Sequence, residues 1–242
     1  MKLTKLLIIG VVAAVLIVPG GYAIADDITG DDDPDFLVGT SADDKIEGKK
    51  GEDQIYGLDG NDELFGDEQD DHMSGGDGDD FMEGKEDNDS MYGDAGDDEM
   101  RGGNGEDRMF GGDDDDTMYG DNENDVMSGG DGNDTMRGGN EDDFLFGGNG
   151  NDNLNGGNGE DVLDGGAGND TLNGRNNNDI LFGGEGTNKL NGNGGKDTIY
   201  GGIGKNIING GGGKDTCYWD GGVANGGDDT VKSCETLIII PA

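Results

Sequence analysis

Residues Gly147 to Asn173 read GGNGNDNLN, GGNGEDVLD and GGAGNDTLN, which are three consecutive nine-residue units. Each unit has the form G-G-x-G-x-D-x-U-x, in which U is a large apolar residue. The same phase runs without an insertion from Gly39 to Tyr218, and the apolar position is filled in every unit from Ile46 to Cys217. A short period kept over so many units predicts a solenoid, whose repeats bury their apolar residues only by stacking.

Each unit predicts a turn followed by a short strand. Glycine accepts positive φ and close backbone approach, so G-G-x-G-x-D favours a tight loop. The x-U-x triplet predicts a three-residue strand with U on one face. Two units then form a coil of eighteen residues, and the coils stack into two parallel sheets that face each other across the U side chains. Ten coils at about 4.8 Å per strand predict an all-β rod about 50 Å long.

Composition excludes several classes of protein. Of the 242 residues 30% are hydrophobic and 54 are glycine, and the formal charge is -41. An ordinary globular core is therefore not expected, and the chain would repel itself unless a cation belongs to the folded state. Nucleic acid and anionic membrane surfaces would be repelled as partners. His72 is the only histidine, so no Ser-His-Asp or Cys-His site can be assembled and we expect no enzymatic activity.

The N-terminal segment, residues 1–25, is typical of a secretory signal peptide. Two lysines precede an apolar run from Leu6 to Val18, and a small-residue A-x-A site ends at Ala25. An uncleaved membrane anchor is the alternative, because the stretch from Leu6 to Ala25 is nearly long enough to span a bilayer. We expect cleavage, no membrane span in the mature chain, and a secreted or cell-surface location.

Three further segments follow the signal peptide. Residues 26–38 form an acidic leader with a degenerate first turn, since Gly30, Asp35 and Leu37 keep the nine-residue phase. The repeats occupy residues 39–218. Residues 219–242 end in an apolar run and predict a C-terminal cap over the open end of the solenoid.

The repeated loop has the chemistry of a calcium site. An aspartate and several exposed carbonyls are hard oxygen ligands, and stacked loops would bring carboxylates of neighbouring coils together. Like charges placed so closely need a divalent cation between them. Oxygen ligands on flexible glycine loops favour calcium over magnesium, and a single histidine makes a zinc or copper site unexpected.

The nonapeptide resembles the haemolysin-type, or RTX, calcium-binding repeats, whose consensus is G-G-x-G-x-D-x-U-x. The resemblance covers residues 39–218 and implies a right-handed parallel β-roll in which each calcium lies between loops of successive coils, held by aspartates and by G-G-x-G carbonyls. It implies eighteen metal-ligating aspartates: Asp44, Asp53, Asp62, Asp71, Asp80, Asp89, Asp98, Asp107, Asp116, Asp125, Asp134, Asp143, Asp152, Asp161, Asp170, Asp179, Asp197 and Asp215. Loops such as 84–89, 111–116 and 120–125, with Asp87, Asp114 and Glu123 in place of a glycine, predict strain and weaker calcium binding.

Alternate units lie on opposite edges of the roll, so the aspartates form two columns that begin at Asp53 and Asp44. The second column ends in Asn188 and Asn206, where a neutral amide predicts weak or empty sites. Nine ions between ten loops in each column give about eighteen calcium ions, or about +36, against -43 once Lys2 and Lys5 are removed. Calcium binding and folding should therefore be coupled.

Several features outside the loops carry further expectations. Methionines fill eight successive U positions, from Met73 to Met136, as a soft core ladder. An even pair of cysteines in an exported chain predicts a Cys217–Cys234 disulfide. Seven rings should share one sheet face, where they either stack on one another or offer a surface for self-association or a ligand: Tyr56, Tyr92, Phe110, Phe146, Phe182, Tyr200 and Tyr218.

These observations favour an exported calcium-binding β-roll that acts as an extracellular or cell-surface scaffold or calcium buffer. One alternative is an adhesin or an ice- or carbohydrate-binding module that uses its flat outward faces. The opposite face carries the asparagines Asn155, Asn173, Asn191 and Asn209, with Thr117, Thr135 and Thr171 nearby. The other alternative is the secretion-type module of a toxin or protease, which the resemblance implies.

Overall fold

The computed structural model describes residues 27–219 and 230–239. The predicted signal peptide lies outside these ranges. Every element within them is a β-strand, and the strands form two parallel sheets of twelve. No helix in the described part of the chain is long and apolar enough to cross a membrane.

The strands alternate between the two sheets along the chain. The odd sheet contains β1 Asp27–Thr29, β3 Lys45–Lys50, β5 Glu63–Glu68, β7 Phe81–Glu86, β9 Glu99–Asn104, β11 Thr117–Asn122, β13 Thr135–Asn140, β15 Asn153–Asn158, β17 Thr171–Asn176, β19 Lys189–Gly195, β21 Ile207–Gly213 and β23 Thr230–Lys232. The even sheet contains β2 Phe36–Val38, β4 Gln54–Asp59, β6 His72–Asp77, β8 Ser90–Ala95, β10 Arg108–Asp113, β12 Val126–Asp131, β14 Phe144–Asn149, β16 Val162–Ala167, β18 Ile180–Phe182, β20 Thr198–Tyr200, β22 Thr216–Trp219 and β24 Thr236–Ile239.

The register confirms the eighteen-residue coil and the parallel β-solenoid. Leu145 pairs with Met127 on one side and with Leu163 on the other, one coil away in each direction. Most strands have six residues rather than the predicted three. They are longer because pairing continues past U into the first residues of the loop, where Gly148 still pairs with Gly166. The glycine loops are thus stacked as closely as the strands.

The two ends of the roll add strands that the repeat phase did not all predict. At the N-terminus β2 pairs with β4, and its Leu37 is only 3% exposed, so the degenerate turn is part of the core. At the C-terminus β23 pairs with β21 and β24 with β22. Residues 230–239 therefore add one strand to each sheet, while Leu237 and Ile239 on β24 stay exposed. A separate cap remains a prediction.

The core is one ladder of U side chains between the sheets. Every U residue from Ile46 to Cys217 is at most 1% exposed, including the methionines. At the C-terminal end of this ladder Cys217 is bonded to Cys234, as the paired cysteines predicted. Each coil places only two apolar side chains inside, so no coil has a core of its own.

Some rings on the outward faces are stacked. Phe182, Tyr200 and Tyr218 on the even sheet lie 4.8 and 4.5 Å apart between successive centroids, and their planes are nearly parallel. This supports the self-stacking interpretation there. The expectation that rings follow U on one sheet only is wrong, because Phe65 and Tyr119 hold that position on the odd sheet, where Lys45 lies over Phe65 at 4.6 Å.

Candidate metal centre

The structure buries all eighteen predicted aspartates along the two edges of the roll. None is more than 3% exposed, although each is the last loop residue before a strand. We call the column from Asp53 to Asp215 the first ladder and the column from Asp44 to Asn206 the second ladder. Successive members lie one coil apart, as the phase predicted. Such burial is unusual for ionisable groups and requires a compensating interaction.

From Asp53 and Asp62 onward, one oxygen of each ladder carboxylate is bonded within its ladder. The Asp125 N–H donates to Asp143 Oδ1 at 2.9 Å, and the Asp143 N–H donates to Asp161 Oδ1 at 2.9 Å. The same bond recurs from coil to coil in both ladders. It orients these carboxylates in the same way, with Oδ1 bonded and Oδ2 on the other side.

The other oxygen has no hydrogen-bond partner among the described residues. This holds for Oδ2 of seventeen of the eighteen aspartates, and we call these the bare oxygens. Asp44 is the exception, because the Thr40 N–H and Oγ–H donate to its Oδ2 at 2.6 and 2.9 Å. A buried oxygen left without a donor is costly, and an ordered row of them points to a missing cation.

Most bare oxygens lie beside a backbone carbonyl of the next coil. An ideal Cβ on Gly138 would lie 2.7 Å from the Gly156 carbonyl oxygen and closer still to Asp143 Oδ2. The same convergence recurs at the first glycine of most units. The absent side chain thus keeps open a space into which a carboxylate oxygen and a carbonyl oxygen both point.

The donor set fits calcium. No three His, Cys, Asp or Glu side chains converge in residues 27–219 and 230–239, so an ion at a bare oxygen would take its other ligands from loop carbonyls. Calcium accepts six to eight such oxygen ligands in flexible geometry, whereas zinc prefers nitrogen and sulfur. The carboxylates would supply the charge and the glycine loops the carbonyls.

Burial raises the pKa of most ladder aspartates, and neighbouring carboxylates raise it further. The pKa of Asp89 is raised to about 9 and that of Asp98 to about 8, mainly because burial disfavours the charged form. The pKa of Asp134 rises only to about 6. In each case the N–H bond from the preceding coil opposes the shift. The metal-free roll therefore binds protons where the unfolded chain would not.

Loops that lack a glycine keep the shape of the others. Asp87, Asp114 and Glu123 all have positive φ, at 74°, 78° and 69°, which costs roughly 1–2 kcal/mol for a residue with a side chain. The predicted strain is therefore present. Side-chain bonds offset part of it, since the Gln69 N–H donates to Asp87 Oδ2 at 3.1 Å. Weaker calcium binding at these loops stays a prediction.

Two ladder members are absent from the set of metal ligands expected from the sequence. Asp35 extends the first ladder by one coil toward the N-terminus, because its N–H donates to Asp53 Oδ1 at 2.7 Å. Glu235 closes the same ladder at the other end, since its Oε2 accepts the Asp215 N–H at 2.7 Å. The phase pointed to Asp35, but Glu235 lies twenty residues after Asp215 and breaks the period.

We expect Gly147→Ala to abolish calcium binding beside Asp152 and to destabilise the calcium-loaded roll by about 1–3 kcal/mol, the usual range for overpacking. An ideal Cβ there lies 2.5 Å from the Gly165 carbonyl oxygen and against Asp152 Oδ2. Calcium stoichiometry and thermal unfolding measure the effect. Gly194→Ala is the matched control, because its Cβ would meet nothing nearer than the Arg175 carbonyl oxygen at 3.5 Å. Equal effects of the two substitutions would contradict the site.

The comparison with known families decides the assignment. A family model of the RTX calcium-binding nonapeptide repeat matches residues 21–55, 29–64, 38–73, 56–91, 74–109, 92–127, 128–163, 155–190 and 182–217. The chain belongs to the RTX calcium-binding nonapeptide repeat family. The bare oxygens of this RTX chain therefore lie in a calcium-binding β-roll.

Similarity to individual proteins adds little to the RTX assignment. No curated protein matches the chain significantly. Among solved structures the RTX chain is similar to "a hyperactive, Ca2+-dependent, beta-helical antifreeze protein from an Antarctic bacterium", at 21% identity. The alignment covers 76% of this chain and 77% of that one, with a TM-score of 0.49.

Proposed function

We propose that this RTX chain is an exported protein that folds as calcium binds along both ladders and then serves as a stiff extracellular scaffold or calcium buffer. The observation that carries the proposal is the row of seventeen buried bare oxygens, most of which face a loop carbonyl. Their aspartates, from Asp53 to Asp215, are the proposed ligands.

Charge supports the same conclusion. One ion for each bare oxygen gives about seventeen calcium ions, close to the eighteen expected from the sequence, and supplies about +34. The mature chain carries a formal charge of -43 after loss of Lys2 and Lys5. Calcium would therefore neutralise most of the self-repulsion that opposes folding.

Export rests on the N-terminal sequence and on the disulfide. Residues 1–25 have the layout of a signal peptide, and the Cys217–Cys234 bond is typical of oxidising compartments. Extracellular calcium modules bind in the range of about 10⁻⁴ to 10⁻³ M, so the chain would stay unloaded in the cytosol and fold outside.

Calorimetric titration of residues 26–242 tests the proposal. We expect about seventeen calcium ions for each chain, bound cooperatively, and far weaker binding of magnesium. Asp143→Asn should lower the stoichiometry by one or two ions. Asp142→Asn makes the same charge change at the neighbouring exposed position and should not. Binding of only a few ions, or equal losses in both variants, would contradict the proposal.

Binding to an ordered surface such as ice or a polysaccharide is the second candidate function. The observation that favours it is a row of side-chain amides, held at the coil period, that projects from the edge of the first ladder. Asn122 Nδ2 donates to Asn104 Oδ1 at 2.8 Å, and Asn140, Asn158 and Asn176 continue the row at 2.7–2.8 Å. Loss of ice or glycan binding in Asn140→Leu, with calcium stoichiometry retained, would support it.

A further inference from the structure

We propose that two copies of the chain pack face to face through their even sheets, in antiparallel orientation, about a twofold axis that passes between β12 and β14. We define the even face as the outward residues that flank the buried position of each strand from β2 to β24, and the odd face as the corresponding residues from β1 to β23. The inference goes beyond the proposed function, because it assigns a partner to a surface that the two aspartate ladders do not use.

The even face is almost free of charge. Each face has two flanking residues on each of twelve strands. Within these strands Arg108 and Asp164 are the only Asp, Glu, Lys or Arg residues of the even face, although the chain contains 56 acidic and 15 basic residues. A partner for this face must itself be nearly uncharged where it touches. The odd face has ten such residues: Asp27, Lys45, Glu47, Glu63, Glu83, Glu99, Arg101, Arg137, Lys189 and Lys232.

Large apolar side chains stay exposed in the middle of the even face. Val126 and Val162 lie among them on β12 and β16. On the described strands of the odd sheet, Ile207 is the one large apolar side chain exposed to a similar degree. An extended apolar area on a soluble protein marks a surface that binds another molecule. The exposed side chains of the even face, 36–45% accessible, are Phe110, Phe144, Phe146, Ile180 and Phe182.

The size of the even face suits a dimer. Twelve strands at about 4.8 Å spacing cover about 55 Å, and a strand of six residues is about 20 Å long, so each copy offers at most about 1,100 Å². Stable interfaces bury about 600–1,000 Å² on each partner. Two copies that overlap along most of the sheet therefore bury enough area for a stable dimer.

A second copy also matches the spacing of the even face. Two sheets pack about 10 Å apart with interdigitating side chains, and two rolls of the same coil period can do so along their whole length. The rings of Phe182 and Tyr200 are stacked at an interplanar angle of 8°, so each covers the flat side of the next ring and leaves an edge outward. Such edges fit between the side-chain rows of a facing sheet, whereas a sugar ring would stack on a flat side.

The two charged residues determine the orientation and the register. Arg108 on β10 and Asp164 on β16 have opposite charges and lie three coils apart. Neither forms an ion pair within residues 27–219 and 230–239. Strands β10 and β16 are equally distant from the midpoint between β12 and β14, which is also the centre of the twelve-stranded sheet. A twofold axis there places each Arg108 over the strand that carries Asp164 in the second copy, so both charges are paired twice.

The same axis places small residues opposite rings. Because the axis runs along the strands, residues that follow the buried position face their counterparts in the second copy. Ser74 on β6 then lies opposite Tyr200 on β20, and Ser128 on β12 lies opposite Phe146 on β14. A parallel arrangement would instead bring Asp164 beside Asp164. It would also align residues 26–179 of both copies, which contain 49 acidic and 8 basic residues each.

Light scattering of residues 26–242 in calcium, at micromolar concentration, tests the inference. We expect twice the mass of one chain. Arg108→Glu and Asp164→Arg should each weaken the dimer at least tenfold, and the two together should restore it, because the reversed pair is again complementary. Arg137→Glu makes the same charge change on the odd face and should leave the mass unchanged. A monomer, or a double variant that stays dissociated, would overturn the inference.

The apolar contacts are tested by a second pair of variants. Phe146→Ser with Phe182→Ser should give a monomer, whereas Phe81→Ser with Tyr119→Ser removes two rings from the odd face and should not. Binding of the unaltered chain to phosphatidylcholine vesicles as a monomer would show that lipid occupies the even face and would overturn the inference. Calcium stoichiometry is measured on the same samples. A dimer without bound calcium would refute the proposed function alone.

Spin labels test the antiparallel orientation. Labels on Gln54→Cys and on Ser90→Cys should lie about 43 and about 24 Å apart along the roll between the two copies, from nine and five strand spacings. The native cysteines are bonded to each other and take no label. Parallel copies would give the same short distance at both positions, and that result would overturn the proposed arrangement.

Discussion

Removal of calcium from residues 26–242 is expected to abolish most of the strand structure and to expand the chain into a flexible polymer. The reason is the burial of seventeen bare oxygens in a chain whose residues 26–179 carry 49 acidic and 8 basic residues. With the cation gone, each ladder would hold unpaired carboxylates one coil apart. Two apolar side chains in each coil cannot offset that repulsion.

The expected change is large and simple to measure. Circular dichroism should lose most of the strand signal, and X-ray scattering should show the radius of gyration rising from about 20 Å toward about 50 Å, the values for a compact and an unfolded chain of this length. Returning calcium should reverse both changes, whereas magnesium at the same ionic strength should not. An unchanged spectrum and radius after chelation would show that the ladders do not depend on the ion.

Acidification of the metal-free chain is expected to restore part of the strand structure that chelation removes. The pKa of most ladder aspartates in the folded roll is raised, to about 6 for Asp53 and Asp134 and to about 9 for Asp89, above the value of about 3.9 in an unfolded chain. A raised folded pKa means that the folded roll binds more protons in this window. Stability of the metal-free roll therefore rises as the pH falls from 9 and is lost as the pH rises through these values.

Dialysis against calcium-free buffer, followed by circular dichroism between about pH 3 and pH 9, measures this effect. The midpoint should lie between about 6 and 8 if buried aspartates control it, and near 4 if exposed carboxylates do. With calcium present, the pH dependence of the strand content should invert, because protons and calcium compete for Oδ2. The apparent affinity for calcium should therefore fall on acidification. Strand structure that decreases as the metal-free sample is acidified would contradict the buried ladders.

The nine-residue phase was sufficient to predict the coil, the core and both ladders. The coil, the core and the ladders all depend on which side of the roll each residue occupies. A nine-residue phase without insertions determines that side from Ile46 to Cys217. Strand length was not predictable in this way, because glycine normally indicates a turn. In stacked coils the glycine loop also pairs with its neighbours, as Gly148 does with Gly166.

Side-chain details of the ladders were harder to predict because they depend on local exceptions. The bond from Thr40 to Asp44 arises where a threonine replaces the second glycine. Glu235 closes the first ladder across a segment that breaks the period, so no spacing rule finds it. The sequence predicted weak calcium sites at Asn188 and Asn206, but it did not predict that Asn188 would bond to the carbonyls of its own loop.

The eighteen-residue register also limits how such a rod can change in length. Removing or adding one nine-residue unit keeps the aspartate and apolar positions in phase, but it moves every later strand to the opposite sheet. The stack of Phe182, Tyr200 and Tyr218 would then lie on the face that now carries Asn173. Lengthening by whole coils, in steps of about 4.8 Å, leaves both outer faces continuous. Duplications of the gene segment should therefore be tolerated in even numbers of units and should disturb the surface in odd ones.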